Sequence, residues 1–155
     1  WLRQVRDSKE LTPKLRQSLS EKIRAACPFG VGVVPSQIID SLGILAATRL
    51  AMVEAVRGLP SLPSFLLIDA LSLPALAIPQ KGIIRGDGLS FSIAAASIVA
   101  KVARDSIMED MDRLYPGYGF ARHKGYGTAE HLACLRRLGP CPIHRRSFAP
   151  VRDCG

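Results

Sequence analysis

The sequence predicts a mixed α/β domain, and three observations carry that expectation. Helix-spaced apolar residues alternate along the chain with short apolar runs bounded by proline and glycine. One such run, Ser64-Phe65-Leu66-Leu67-Ile68-Asp69, stays apolar until it closes on a carboxylate, the pattern of a strand covered on both faces inside an α/β sheet. Finally, 155 residues, 48% hydrophobic and 22% charged, suit one domain (residues 1–155) with its own core, and neither a repeat nor a linker interrupts them.

Thr12-Pro13 opens the first helix, with Thr as N-cap and Pro at the first helical position. Leu15, Leu19, Ile23 and Ala26 follow at helical spacing until Pro28. Phe29 to Val34 reads as a short strand ended by Pro35, and Ser36 as the cap of a helical turn through Ile39. Ile44 to Arg57 is a stronger helix, with Leu45, Thr48, Met52 and Val56 on one stripe and Gly58 as its stop. After the apolar run to Asp69, a second short strand is expected at Gln80–Ile84. A long helix then spans Ser92–Leu114, its small residues Ala94, Ala95, Ala96 and Ser97 permitting close packing. Tyr115–Gly127 is a glycine- and aromatic-rich loop, and Thr128 caps a last helix, Ala129–Leu138, ended by Gly139-Pro140.

Composition narrows the function classes. Cys27, Cys134, Cys141 and Cys154 form no C-x-x-C pair and are too few for a disulfide scaffold, so reduced thiols in a cytoplasmic protein are expected. No apolar stretch reaches membrane-spanning length, and Trp1-Leu2-Arg3-Gln4-Val5-Arg6 lacks the apolar centre of a signal peptide. Lys and Arg total 21 against 13 acids, a formal charge of +8, which favours polyanionic partners. The excess is concentrated: Arg122, Lys124, Arg136, Arg137, Arg145 and Arg146 stand against Glu130 alone, and His123, His131 and His144 fall in the same stretch.

Asp69 is the first candidate for chemistry, because a carboxylate at the C-terminal end of a buried strand lies where α/β sheets hold ligands. An aspartate that merely caps the following turn looks the same. Asp87, in Arg85-Gly86-Asp87-Gly88, follows the next strand likewise, and two neighbouring strand-end carboxylates offer hard oxygen ligands to Mg²⁺ or Mn²⁺. Arg85-Gly86-Asp87 also matches an integrin-adhesion tripeptide, but nothing indicates secretion. Gly82, Gly86 and Gly88 lack the Lys-Ser/Thr ending of a P-loop. His131 and Cys134 share a helical face without a second ligand pair and read as packing residues. In the loop, glycines let backbone approach a ligand while aromatics and cations suit sugar and phosphate. Tyr115 and Phe120 are expected in the core, and Tyr126 is the functional candidate.

Several blocks resemble bacterial ribonuclease HII over nearly the whole chain and in the right order. They are Asp7-Ser8-Lys9-Glu10-Leu11-Thr12, Leu45-Ala46-Ala47-Thr48-Arg49-Leu50-Ala51-Met52, Ser92-Ile93-Ala94-Ala95-Ala96-Ser97-Ile98 with Lys101-Val102-Ala103-Arg104-Asp105, Tyr115-Pro116-Gly117-Tyr118-Gly119-Phe120, His123-Lys124-Gly125-Tyr126-Gly127-Thr128, and Gly139-Pro140-Cys141-Pro142-Ile143-His144-Arg145-Arg146-Ser147-Phe148. The resemblance implies a ribonuclease H-like mixed sheet flanked by helices. It further implies a monomeric cytoplasmic endonuclease of DNA replication and repair, acting on the RNA strand of RNA–DNA hybrids and 5′ of ribonucleotides embedded in duplex DNA. The family uses four carboxylates and two divalent ions, Mn²⁺ or Mg²⁺. Asp69 matches the third carboxylate and Asp87 the fourth. Tyr126 matches the tyrosine that recognises the ribonucleotide–DNA junction, and Lys9, Lys124, Arg145 and Arg146 match basic positions near the substrate. Asp105 belongs to the long-helix signature and is expected to be structural.

The sequence departs from the family pattern in three places. Arg85 stands where the family has lysine, and Ala70-Leu71 where it often has Gly-Asn. The first two carboxylates, an Asp-Glu pair before a Gly-Arg-Gly turn, lie in the family ahead of the block that here begins at Asp7. The resemblance therefore implies a ribonuclease HII shortened at its N-terminus, lacking its first two strands and inactive by itself. A different reading is a non-catalytic nucleic-acid-binding remnant, and metal-dependent cleavage against metal-independent binding separates the two. A small structural protein with an accidental basic face fits the charge but not the motif blocks.

Overall fold

Local sequence signals set most of the boundaries in the computed structural model, which describes residues 1–154. Short 3₁₀ turns at Leu2–Gln4 and Ser8–Glu10 precede α1 (Pro13–Ala26). The Thr12 hydroxyl accepts from the Leu15 amide at 3.3 Å, satisfying one of the free donors at the start of α1. α2 (Ser36–Leu42) and α3 (Ile44–Arg57) are separated by Gly43 at φ +79°. Strands β1 (Leu66–Asp69) and β2 (Gln80–Ile83) pair in parallel, Asp69 standing opposite Ile83. The single turn α4 (Gly86–Leu89) leads into α5 (Phe91–Leu114), followed by α6 (Phe120–His123), α7 (Ala129–Leu138) and α8 (Ala149–Arg152). Among the described residues no helix is long and apolar enough to cross a membrane.

The chain packs as two compact units, one of Trp1–Val33 with Thr48–Ala103, the other of Val34–Ala47 with the residues from Arg104 onward. The first unit has two apolar clusters. Leu19 and Ile23 of α1 meet Ile98 and Val99 of α5, with Leu11 beneath them. Val53 of α3 packs on Leu66 and Ile68 of β1 and on Leu73. Within the same unit the Arg16 guanidinium is buried and donates to the carbonyls of Ser8 at 2.9 Å and Leu11 at 2.8 Å, tying the segment that carries Lys9 to α1. Gln80 fixes the connection between the strands: its Oε1 accepts from the Leu73 amide at 2.6 Å and its Nε2 donates to the Leu73 carbonyl at 3.1 Å.

Three expectations are corrected. Phe29–Val34 forms no strand. Its glycines lie against helix backbone instead: a Cβ on Gly30 would stand 1.9 Å from the Ala55 carbonyl oxygen and one on Gly32 1.8 Å from that of Ala51. The segment uses its missing side chains to approach α3 rather than to pair in a sheet. β1 is covered on one face only, Leu66 and Ile68 being buried while Leu67 is 41% exposed, so its continuous apolar run is not two-sided burial. Ser36 does not cap α2; Pro35 stands at the cap position, and the Ser36 hydroxyl donates to the Pro142 carbonyl at 3.2 Å.

Candidate functional site

In the first unit, the two candidate carboxylates follow neighbouring parallel strands. β1 delivers Asp69 as its last residue, and Asp87 lies in the turn α4 directly after β2. Asp69 is half-buried, and its Oδ1 accepts from the Gly86 amide at 2.9 Å, so one hydrogen bond joins the two strand ends. Gly86 sits close against its neighbours: an added Cβ would stand 2.5 Å from Ile93 Cδ1, so the end of that side chain would have to shift, and 3.5 Å from Asp69 Oδ1. The turn-capping and ligand-holding readings of Asp69 are thus compatible, since one oxygen serves the backbone and the other does not need to.

Asp87 faces Lys9, whose ammonium lies 3.5 Å from Oδ2. The Lys9 side chain is 81% exposed, so the contact is a solvent-screened surface ion pair. Its pKa is raised, first by Asp7, then by Asp87 and more weakly by Asp69, which places all three carboxylates in its field. Asp69 and Asp87 supply hard oxygen donors suited to Mg²⁺ or Mn²⁺. Among the described residues no group of three Asp, Glu, His or Cys side chains is arranged to hold one ion. The fit is to part of a ligand set.

Both strand ends are turned by non-glycine residues in the left-handed region, Ala70 at φ +55° and Arg85 at φ +56°. An alanine held there is strained by its Cβ. Ala70→Gly is therefore expected to stabilise the chain by roughly 0.5–1 kcal/mol, the strain relieved exceeding the added freedom of the unfolded glycine. Urea unfolding measures it, and a loss of stability would contradict the assignment of strain to this turn.

In the second unit, Tyr126 stands on a loop whose backbone is closely determined. Lys124 at φ +51° and Gly125 at φ +80° reverse the chain, the Tyr126 amide donates to the His123 carbonyl at 2.9 Å, and the Thr128 amide donates to the Tyr126 carbonyl at 2.8 Å. The ring is 58% exposed, with the Arg104 guanidinium 4.8 Å from its centroid. The Lys124 ammonium pairs with Glu109. Tyr115 and Phe120 belong to the core cluster, as the sequence suggests.

Arg145 and Arg146 are placed by a residue that sequence reading did not single out. Asp40 accepts from the Arg146 amide at 2.9 Å and from the Ser147 amide and hydroxyl at 3.0 and 2.7 Å. Those Ser147 bonds hold its carboxyl below the usual range. Arg145 is half-buried, and that burial, with the Arg104 cation nearby, lowers its pKa. Arg104 is the second residue missed; its place in a long-helix signature gave no hint of its ring contact. Asp40 lies about a hundred residues from its partners and carries no local signal.

A family model described as Ribonuclease HII matches residues 2–151. A ribonuclease HII of Desulfitobacterium hafniense is 60% identical over 150 residues, covering 96% of this chain and 58% of that protein. One of Dehalococcoides mccartyi is 55% identical over 154 residues, covering 99% of this chain and 73% of that protein. The chain thus spans little more than half the length of the first of these relatives. The crystal structure of the ribonuclease H2 from Pyrococcus horikoshii matches with a TM-score of 0.82 at 23% identity, covering 99% of this chain and 82% of that one. That match shows a common fold, and the α/β, ribonuclease H-like expectation holds.

Proposed function

The chain belongs to the ribonuclease HII family, and from that premise we propose that it serves metal-dependent hydrolysis of the RNA strand in RNA–DNA hybrids and incision 5′ of single ribonucleotides embedded in duplex DNA. The observation that supports this most is the placing of Asp69 at the end of β1 and Asp87 just past the end of its parallel partner β2, with the Gly86 amide on Asp69 and Lys9 on Asp87. Asp69 and Asp87 would hold divalent ions, which when bound activate water and stabilise the leaving oxygen of a phosphodiester. Asp69 stays oriented through the Gly86 amide. Lys9 neutralises Asp87 in the absence of substrate and, being exposed, is free to turn toward a backbone phosphate. Tyr126 presents an exposed ring to the ribose, and Lys124, Arg145 and Arg146 add cationic contacts to the duplex backbone. Glycine-rich backbone can address the 2′-hydroxyl that distinguishes RNA from DNA. A cytoplasmic role in DNA replication and repair, performed by a monomer, goes with that substrate class.

The test is cleavage of an end-labelled duplex carrying one ribonucleotide, in millimolar Mn²⁺ and in chelator. Because no three Asp, Glu, His or Cys side chains among the described residues are arranged to hold one ion, incision by this chain alone is expected to be slow at most, and whatever is seen should be strictly metal-dependent, on the 5′ side of the ribonucleotide and absent on an all-DNA duplex. Incision that persists in chelator overturns the metal-dependent reading. Tight duplex binding with no incision at any Mn²⁺ concentration favours the second reading, a non-catalytic nucleic-acid-binding protein, which that same incomplete ligand set supports.

A further inference from the structure

The three histidines of the second unit are all buried, and their hydrogen bonds run in one direction. His144 Nδ1 lies 3.0 Å from the Cys141 amide, which can only donate, so that nitrogen carries no proton. The proton of neutral His144 is then on Nε2, which faces His131 Nε2 at 3.1 Å. His131 Nδ1 lies 2.9 Å from the Tyr126 carbonyl, which can only accept, so Nδ1 carries the proton and Nε2 is open to receive the one from His144. The second branch is equally determined. His123 Nδ1 accepts from the Gly125 amide at 3.2 Å, which leaves its Nε2–H to donate to the Tyr118 carbonyl at 2.8 Å. The His123 and His131 rings stack at 4.2 Å with 12° between their planes. Backbone groups therefore fix all three tautomers, and both branches end on the loop that carries Tyr126.

We propose that His123, His131 and His144 are positioning residues: a relay of neutral imidazoles that clamps the Gly125–Tyr126 backbone and so sets the ring of Tyr126 for a ribonucleotide. This rests on the reading of Tyr126 as a substrate contact. Each imidazole works only without its second proton. A proton on His144 Nδ1 would face the Cys141 amide, one on His131 Nε2 would face the His144 Nε2–H, and one on His123 Nδ1 would face the Gly125 amide; each opposes donor to donor. Burial lowers the pKa of His131 and His144. The charged groups around the cluster are Arg146, which also disfavours the His144 cation, Glu130, engaged by Arg122, and Lys124, paired with Glu109. Burial keeps the Cys141 thiol and the Tyr118 phenol protonated, and Cys134 completes the lining. Native His131 and His144 thus bind fewer protons than the unfolded chain. Their contribution is whole above the ordinary histidine pKa of about 6.5 and is lost as pH falls from there toward their lowered native values.

The experiment pairs imidazole ¹⁵N NMR on the 155-residue chain with duplex binding by variants. At neutral pH the spectra should show Nε2–H on His123 and His144 and Nδ1–H on His131. On acidification the Gly125 and Tyr126 amide resonances should move together with the His131 and His144 rings. A wrong tautomer, a cation at neutral pH, or loop amides indifferent to that titration overturns the relay, whatever the chain binds. His144→Gln retains a donor toward His131 while His144→Leu removes it. His144→Leu should lower the preference for a ribonucleotide-containing over an all-DNA duplex about tenfold, and His144→Gln should keep it within about twofold, matched melting temperatures excluding a folding defect. If Tyr126→Ala leaves the preference unchanged, or the unmodified chain has none, the reading of Tyr126 fails and the relay stands or falls on the spectra. If Tyr126→Ala abolishes the preference but His144→Leu does not, the relay is refuted and Tyr126 stands.

Discussion

Asp69→Asn is expected to cut metal-dependent hybrid cleavage by roughly 100-fold or more while leaving the fold intact. The two effects separate because Asp69 does two things. Its Oδ1 accepts from the Gly86 amide at 2.9 Å, and an asparagine oxygen placed there can accept the same bond. What asparagine cannot supply is the negative charge and the second anionic oxygen that a hard divalent ion requires. Asp69→Ala removes both functions, and the part-buried Gly86 amide then loses its partner at a further cost of about 1–3 kcal/mol in stability. Asp87→Asn should match Asp69→Asn in cleavage, and it should also lower the Lys9 pKa, since Asp87 is among the carboxylates that raise it. Cleavage rates in a Mn²⁺ series, set against urea unfolding of the same proteins, read all of this. Undiminished cleavage by Asp69→Asn would remove Asp69 from the metal site and leave it a turn cap.

How far such residues could be read without coordinates depends on how local their determinants are. Thr12, Thr128 and Gly139 mark helix ends because a cap is made within one turn, and each stands where the sequence puts it. The positions of Asp69 and Asp87 after two strands are legible for a related reason: a strand followed by a carboxylate displays it at a known edge, and β1 and β2 pair in parallel. Phe29–Val34 has the residues of a strand but forms none, because a strand exists only with a partner. Nothing in Gly30 or Gly32 says whether the backbone will meet another strand or the side of a helix. β1 looked covered on both faces because apolar side chains report hydrophobicity, not what packs against them; Leu67 is apolar and exposed. The histidines gave the least signal. Their spacing matches no ligand pattern, and burial agrees with His131 as a packing residue, a reading that omits its two ring hydrogen bonds. Tautomers are set by backbone groups distant in sequence, and only coordinates supply those.

Phe120→Ala is expected to be the most destabilising single substitution in the second unit, at about 3–5 kcal/mol. The ring is 1% exposed and lies among five others. It stacks on Tyr118 at 5.1 Å and meets His123 and His131 edge-on at 5.8 and 5.6 Å, with His144 at 5.5 Å and Tyr115 in the same cluster. Edge-on contact sets the ring's positive rim or negative face against imidazoles, an arrangement that favours uncharged, fixed neighbours. Truncation leaves a void bordered by polar rings, which water can enter, unlike a void lined by Leu or Ile. Two results should therefore arrive together. Stability falls by the cavity cost, and the His131 and His144 pKa values rise toward 6.5, because burial is the first cause of their depression. A hydrated cluster takes up protons nearer neutrality, so its native and unfolded forms titrate more alike and the variant should lose less stability than the parent as acid is added below about pH 6.5. Denaturant unfolding across pH, with the ring titrations alongside, measures both. A cost below about 1 kcal/mol would mean that the cluster collapses around the gap. A large cost with unmoved titrations would mean instead that the hydrogen bonds to Cys141 and Tyr126, not the apolar packing, keep the imidazoles neutral.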